Sequence, residues 1–141
     1  MLKTIIKALE NFCIHQIREP HEIHCNIIKT RTLIAYIDTE TSNNKKHRVY
    51  LAISPSFAQR ISTLLLEEDE SDNETLIDMT LETANLIVGS AKVLAEGTGE
   101  NQFNIKIPCF EKFDVFDFDY DHAKVVKIKE DEMIIAIKEL I

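Results

Sequence analysis

The feature that most constrains this chain is one unbroken periodic stretch, SDNETLIDMTLETANLIVGSAKVLAEG, residues 71 to 97. Its apolar residues recur at helical rather than strand spacing, which predicts a long amphipathic helix. Ser71 with Glu74 fits a capping box, in which each side chain satisfies an otherwise unpaired amide. Gly97 supplies a stop, since glycine accepts the left-handed conformation that ends many helices. At roughly 100° per residue, Ile77, Leu81, Ala84, Val88, Ala91 and Ala95 share one side, flanked by Leu76, Thr80, Ile87 and Leu94. That side is the expected core face.

Asp78, Glu82, Asn85, Gly89, Lys92 and Glu96 fall on a stripe well away from it, with Met79, Leu86 and Val93 forming an apolar strip alongside. Two features run against simple helix energetics. Gly89 faces outward in mid-helix, where it costs about 1 kcal/mol relative to alanine. Leu86 and Met79 also sit where a charged residue would be better solvated. Either another protein docks closely on this side, or another part of the chain covers the strip.

The rest of the chain supplies the layers such a helix needs. Residues 2 to about 18 predict a helix with Ile5, Ile6, Leu9, Phe12, Cys13 and Ile17 at core spacing, ended by Pro20. Residues 22 to 37 predict one long strand or two short ones, SNNKK a turn, and HRVYLAIS the returning strand. Pro55 and Ser56 open a second short helix carrying Phe57, Ile61, Leu64 and Leu65. The acidic run Glu67 to Asp72 reads as a solvated loop that could also favour the next helix's N-terminus. Beyond Gly97 to Asn101 come four strand-like segments: QFNIKIP, FDVFDFDY, AKVVKIK and MIIAIKEL. In FDVFDFDY acids alternate with apolar residues, and Glu130, Asp131 and Glu132 read as the last hairpin turn. The expected architecture is α+β: a mostly antiparallel sheet with one long and two shorter helices packed on it. The 141 residues, 45% of them hydrophobic and without a linker-like run, predict a single domain over 1–141.

Composition narrows the chemistry. A formal charge of −8 disfavours a phosphate backbone, and the only basic cluster, Lys45 to Arg48, is short and set in an apparent turn. No apolar run has the length of a membrane span, and the amphipathic start is unlike a signal core, so a soluble, cytoplasmic protein is expected. Three cysteines, Cys13, Cys25 and Cys109, cannot all pair within one chain and read as reduced thiols. Three glycines cannot build a P-loop or a dinucleotide fingerprint.

His21, His24 and Cys25 lie close together, but the histidines are three apart on an extended segment and no second ligand pair follows, so no metal site is expected. Cys13 reads as core and Cys109 as an ordinary buried thiol beside Pro108. The acids of 114 to 121 need no cation once strand alternation explains them. Glu82 and Asn85 remain, one helical turn apart and facing the same way. An amide can orient a water by donating and accepting, and a carboxylate can pair with a partner's lysine. Such residues could complete an active site that lies largely on another protein. Glu40/Asn43 and Glu70/Asn73 have the same spacing, in apparent loops.

Asp78-x3-Glu82-x2-Asn85, followed by Pro108 after the intervening residues 86 to 107, resembles the signature of the CheC/CheX/FliY chemotaxis phosphatases. The two decoy pairs fail it, because Tyr36 and Leu66 stand in the Asp/Ser position. ETANLIVGSAK is similar to the family helix in its glycine four residues after the asparagine, and the likeness covers roughly residues 47 to 120. The resemblance implies a CheC-like fold and dephosphorylation of the phospho-aspartate of a CheY-like response regulator. That regulator brings its own Mg²⁺; no cofactor of this chain's own is implied. By position, Glu82 would pair with the regulator's active-site lysine and Asn85 would align the attacking water. Asp78 and Met79 are expected in the partner-binding set; Gly89 would allow close approach and Leu86 would pack at the rim. A single helical copy of the motif resembles the CheX type, which implies a homodimer. The alternative is a non-enzymatic module that holds a regulator or flagellar switch component with the same helix face.

Overall fold

A computed structural model describes residues 1–27, 29–98 and 102–140. Its elements run α1 (Leu2–Phe12), a π-turn (Cys13–Ile17), β1 (Glu22–His24), β2 (Arg31–Thr41), β3 (Lys46–Ile53), α2 (Pro55–Leu66), α3 (Asn73–Thr98), β4 (Phe103–Ile105), β5 (Cys109–Val115), β6 (His122–Ile128) and β7 (Asp131–Leu140). The sheet runs β1-β6-β7-β3-β2-β4, with β5 pairing the other end of β2. Every pairing among the described residues is antiparallel. The expected α+β architecture is the observed one.

The helices cover one face of the sheet. Leu33, Ala35, Ile37, Leu51, Ile53 and Ile135 meet Ile5, Leu9, Phe57, Ile61, Ile87 and Ala91 in the main core. The opposite face carries a second cluster of Ile34, Tyr50, Ala52, Val125, Ile134 and Ala136, covered by Phe116 and Phe118. Tyr50 stacks on Phe118 with ring centroids 4.9 Å apart. Burial on both faces explains why LIAYI, VYLAI and MIIAI are continuous apolar runs rather than alternating ones.

Local detail departs from expectation in several places. The first helix widens at Cys13 into the π-turn and is closed by Arg18, in the left-handed conformation at φ 61°, rather than by Pro20. Arg18 N–H donates to the Cys13 carbonyl at 2.8 Å. The expected strand 22 to 37 is a short β1 and a long β2 that runs on to Thr41; Ile28, between them, lies outside the described residues. Lys46 joins β3 rather than the turn, His47 and Arg48 lie in the strand as HRVYLAIS predicts, and Arg48 holds Asp38 across the sheet at 2.7 Å and 3.0 Å.

Ser54 caps α2 through Phe57 N–H and also accepts from Glu132 N–H, which ties the helix start to β7. Of the apolar residues that α2 carries, Phe57 and Ile61 are buried, whereas Leu64 and Leu65 are exposed at its C-terminal end. The last hairpin turns at Lys129 and Glu130, with Lys129 at φ 55°. Asp131 is therefore a strand residue, and its buried carboxylate accepts from Arg60 of α2 at 2.6 Å. Of FDVFDFDY, only the first residues extend β5; 116 to 120 cross the second face as an irregular aromatic segment.

The long helix begins later than expected. Asp72, not a Ser71–Glu74 box, caps it by accepting from Thr75 N–H at 2.8 Å. Ser71 is committed to α2, where its amide donates to Gln59 and its hydroxyl meets Ser62. The helix runs through Gly97 to Thr98; Gly99, Glu100 and Asn101 of the expected break lie outside the described residues. Among the described residues, no helix is long and apolar enough to cross a membrane.

Candidate functional site

The inward side of α3 is close to the periodic expectation, rotated slightly toward α1. Thr80, Thr83, Ala84, Ile87, Val88, Ala91 and Ala95 are buried, whereas Ile77 and Leu81 are only partly so. Small side chains at 84, 91 and 95 let the helix lie close to its neighbours. The two buried threonines satisfy themselves locally, donating to the carbonyls of Leu76 and Met79 at 2.8 Å and 2.7 Å. Such back-bonding is the usual solution for a hydroxyl inside a helix pair.

The outward side is different. Asp78, Glu82 and Asn85 are all exposed. Neither the Glu82 carboxylate nor the Asn85 carboxamide makes a hydrogen bond or ion pair with another described residue. Lying three apart on a regular helix, they stand on adjacent turns of one surface. Farther along, Lys92 is committed to Glu96 at 3.1 Å. Gly89 follows Asn85 by one turn, and a Cβ placed on it would meet nothing within 4 Å. Nothing among the described residues requires glycine there, so the close approach expected at this position is not made by the fold itself.

The apolar strip divides between the two explanations. Met79 packs against the main core. Leu86 stays 37% exposed and Val93 65% exposed. α1 packs against α3 on this flank: its N-terminal half lies by Leu94 and Thr98, and its end and the π-turn lie by Leu86 and Ser90. The groove left at that second contact, about 260 Å³, is lined by Asn11, His15, Gln16, Leu86 and Ser90 over buried Phe12. Sequence reading missed it, because nothing in the periodicity of residues 2 to 18 marks a π-turn. The polar character of Asn11, His15 and Gln16 was its only signal.

Pro108 sits in the connection between β4 and β5, both of which touch α3. Of the other candidates, Cys13 is fully buried and its thiol is pushed up to about 11, by burial and then by nearby Glu10. It is a core thiol. Cys109 and Cys25 are exposed, so the reading of Cys109 as buried is corrected. His21 lies 3.8 Å from Glu10, and Cys25 Sγ lies 3.0 Å from Lys124 Nζ. No set of three metal-ligating side chains comes together among the described residues. The two decoy pairs do not share the setting: Glu40 is in β2 and Asn43 in its turn, while Glu70 and Asn73 straddle the start of α3.

The helix thus presents an outward carboxylate and carboxamide, without partners among the described residues, above an antiparallel sheet. The family model for the chemotaxis phosphatase CheX matches residues 37–122, and the chain belongs to that family. The fold is similar to the crystal structure of chemotaxis protein CheX from Vibrio vulnificus, at TM-score 0.80 and 15% identity over 99% of this chain and 98% of that one. It is also similar to a putative chemotaxis protein from Desulfovibrio vulgaris Hildenborough, at TM-score 0.77 and 16% identity over 99% and 96%. A third similar structure is the CheX chain of a CheX–CheY–BeF3–Mg²⁺ complex from Borrelia burgdorferi, at TM-score 0.68 and 17% identity over 98% and 97%. No match was found among curated protein sequences.

Proposed function

We propose that this chain, acting as one domain over residues 1–141, hydrolyses the phospho-aspartate of a CheY-like response regulator. The observation that carries the reading is the outward Glu82–Asn85 pair, exposed and without internal partners, in a chain of the CheX family. In that reaction a water oxygen attacks phosphorus, the bond from phosphorus to the aspartyl oxygen breaks, and the products are inorganic phosphate and aspartate. The regulator supplies the phosphoryl group and the Mg²⁺, as the composition of the Borrelia complex suggests for its own partner.

This chain's contribution is alignment. The Asn85 carboxamide can accept from and donate to the water, holding it in line with the breaking bond. Phosphoryl transfer depends mainly on such positioning and on charge stabilisation. Glu82 pairs with the regulator's active-site lysine and sets the register of docking, while Asp78 extends the acidic edge of the same face. Gly89 admits the partner's surface and Leu86 packs at its rim. Met79 supports the helix from within. A homodimer is the assembly that goes with this family reading. The test is phosphate release from an acetyl-phosphate-charged regulator with Mg²⁺. The parent accelerates it, and Asn85→Ala binds the regulator but does not. Binding without acceleration by the parent would make the chain a non-enzymatic module instead.

A further inference from the structure

The groove beside the π-turn is built next to the proposed catalytic face and has no role in the chemistry. We infer that it is the specificity-determining part of the docking surface, taking an uncharged, apolar side chain from the loop that borders the receiver's phosphorylation pocket. This rests on the reading above and adds a surface to it.

Three observations carry it. The first is continuity. Leu86 follows Asn85 in the chain and lies one turn beyond Glu82, and it forms one wall of the groove. A receiver seated over Glu82 and Asn85 therefore also covers the groove's mouth. The second is chemistry. In a chain of net charge −8, and beside the acids Asp78 and Glu82, the groove is lined by amides, a hydroxyl, an imidazole and apolar groups, with no carboxylate, ammonium or guanidinium among them. Glu82 answers a cation; the groove answers a neutral side chain over buried Phe12, with amides at its rim to meet backbone groups. The third is the backbone. π-turns are uncommon and concentrate at functional sites. This one keeps Cys13 and Ile17 in the core while Ile14, His15 and Gln16 are exposed, Ile14 by 54%. An apolar side chain that open to water beside the groove is consistent with a surface that another protein covers.

The test fills the groove without touching the reacting groups. Ser90 is exposed, so Ser90→Trp can occupy the space from the α3 side, and His15→Glu places a charge in it from the π-turn. Phosphate release is followed against the concentration of charged regulator, with Asn85→Ala in parallel. Either groove variant is expected to raise KM by about ten-fold or more, the scale of a lost interface contact, with a far smaller change in kcat. Affinity for a beryllofluoride-charged receiver should fall in step. If Asn85→Ala is inactive but both groove variants keep the parent KM, the groove inference is overturned and the catalytic reading stands. If Asn85→Ala retains full activity, the catalytic reading itself fails. A change in sedimentation with KM unaltered would assign the groove to a second copy of this chain and overturn the inference.

Discussion

The two sides of α3 treat polar groups in opposite ways. Inward, the hydroxyls of Thr80 and Thr83 are closed off by carbonyls of their own helix, among alanines that let neighbours approach. Outward, Glu82 and Asn85 stand one turn apart with no internal partner, followed by a glycine that the surrounding fold does not need. A side chain that completes its bonding within the chain is there for the fold. One left open on a rigid element is available to something else. The contrast sets groups bonded within the fold against groups left open along a single helix, and it can be broken experimentally from either side.

The largest effect is expected at Asn85. Asn85→Ala should slow phosphate release at least 10²-fold, about the loss that misplacing a reacting group brings, with an unchanged thermal midpoint because the side chain is exposed. A parallel fall in midpoint would show that the outer side is structural after all. Ile87, two residues on and buried, should behave inversely. Ile87→Ala is expected to cost about 2–5 kcal/mol in urea unfolding while leaving the rate per folded molecule near the parent's.

Gly89→Ala sharpens the contrast further. With open space around the added methyl, the variant should gain about 0.5–1 kcal/mol of stability and yet bind a charged receiver several-fold more weakly. Tighter or equal binding would remove the close-approach role. The smallest effect concerns the helix start. The Thr75 amide, donating to Asp72, holds that carboxyl below its ordinary value of 3.8. A carboxylate depressed in the folded state stabilises it above the unfolded value, and that support is lost as pH falls through the folded value. Below about pH 4, Asp72→Asn, which keeps an acceptor at the cap, should therefore lose thermal midpoint less steeply than the parent.

Much of the geometry of the candidate site was legible because a 3.6-residue period fixes which side chains share a direction. Ala84, Val88 and Ala91 placed the core, and Glu82 with Asn85 then had to face away from it. What stayed hidden depended on competition between near-equivalent local choices. Ser71 and Asp72 both suit a cap, and only the position of Gln59 on α2 decides which of them performs it. Leu64 and Leu65 continue the spacing of Phe57 and Ile61, but they lie exposed in the last turn of α2. FDFDY alternates like a strand, yet beyond β5 it leaves the ladder and spends its aromatic rings on the back of the sheet instead. The π-turn leaves no mark in the apolar periodicity, and only the polar His15 and Gln16 hint at its open side.

The fastening of Ser71 to Gln59 and Ser62 has a consequence for how this protein can evolve. With that end tied to α2 and the alanines seated farther down, the number of residues between Asp72 and Glu82 acts as a phase setting. One inserted residue would turn the Ser71 fastening and the buried alanine face out of register by about 100° around the helix axis, so that one of the two would have to give way. The acidic loop just before lies outside the helix, so a change in its length between Glu68 and Ser71 leaves the helical phase of both groups unaltered. Length variation among relatives should therefore gather ahead of the helix and be absent from its first three turns.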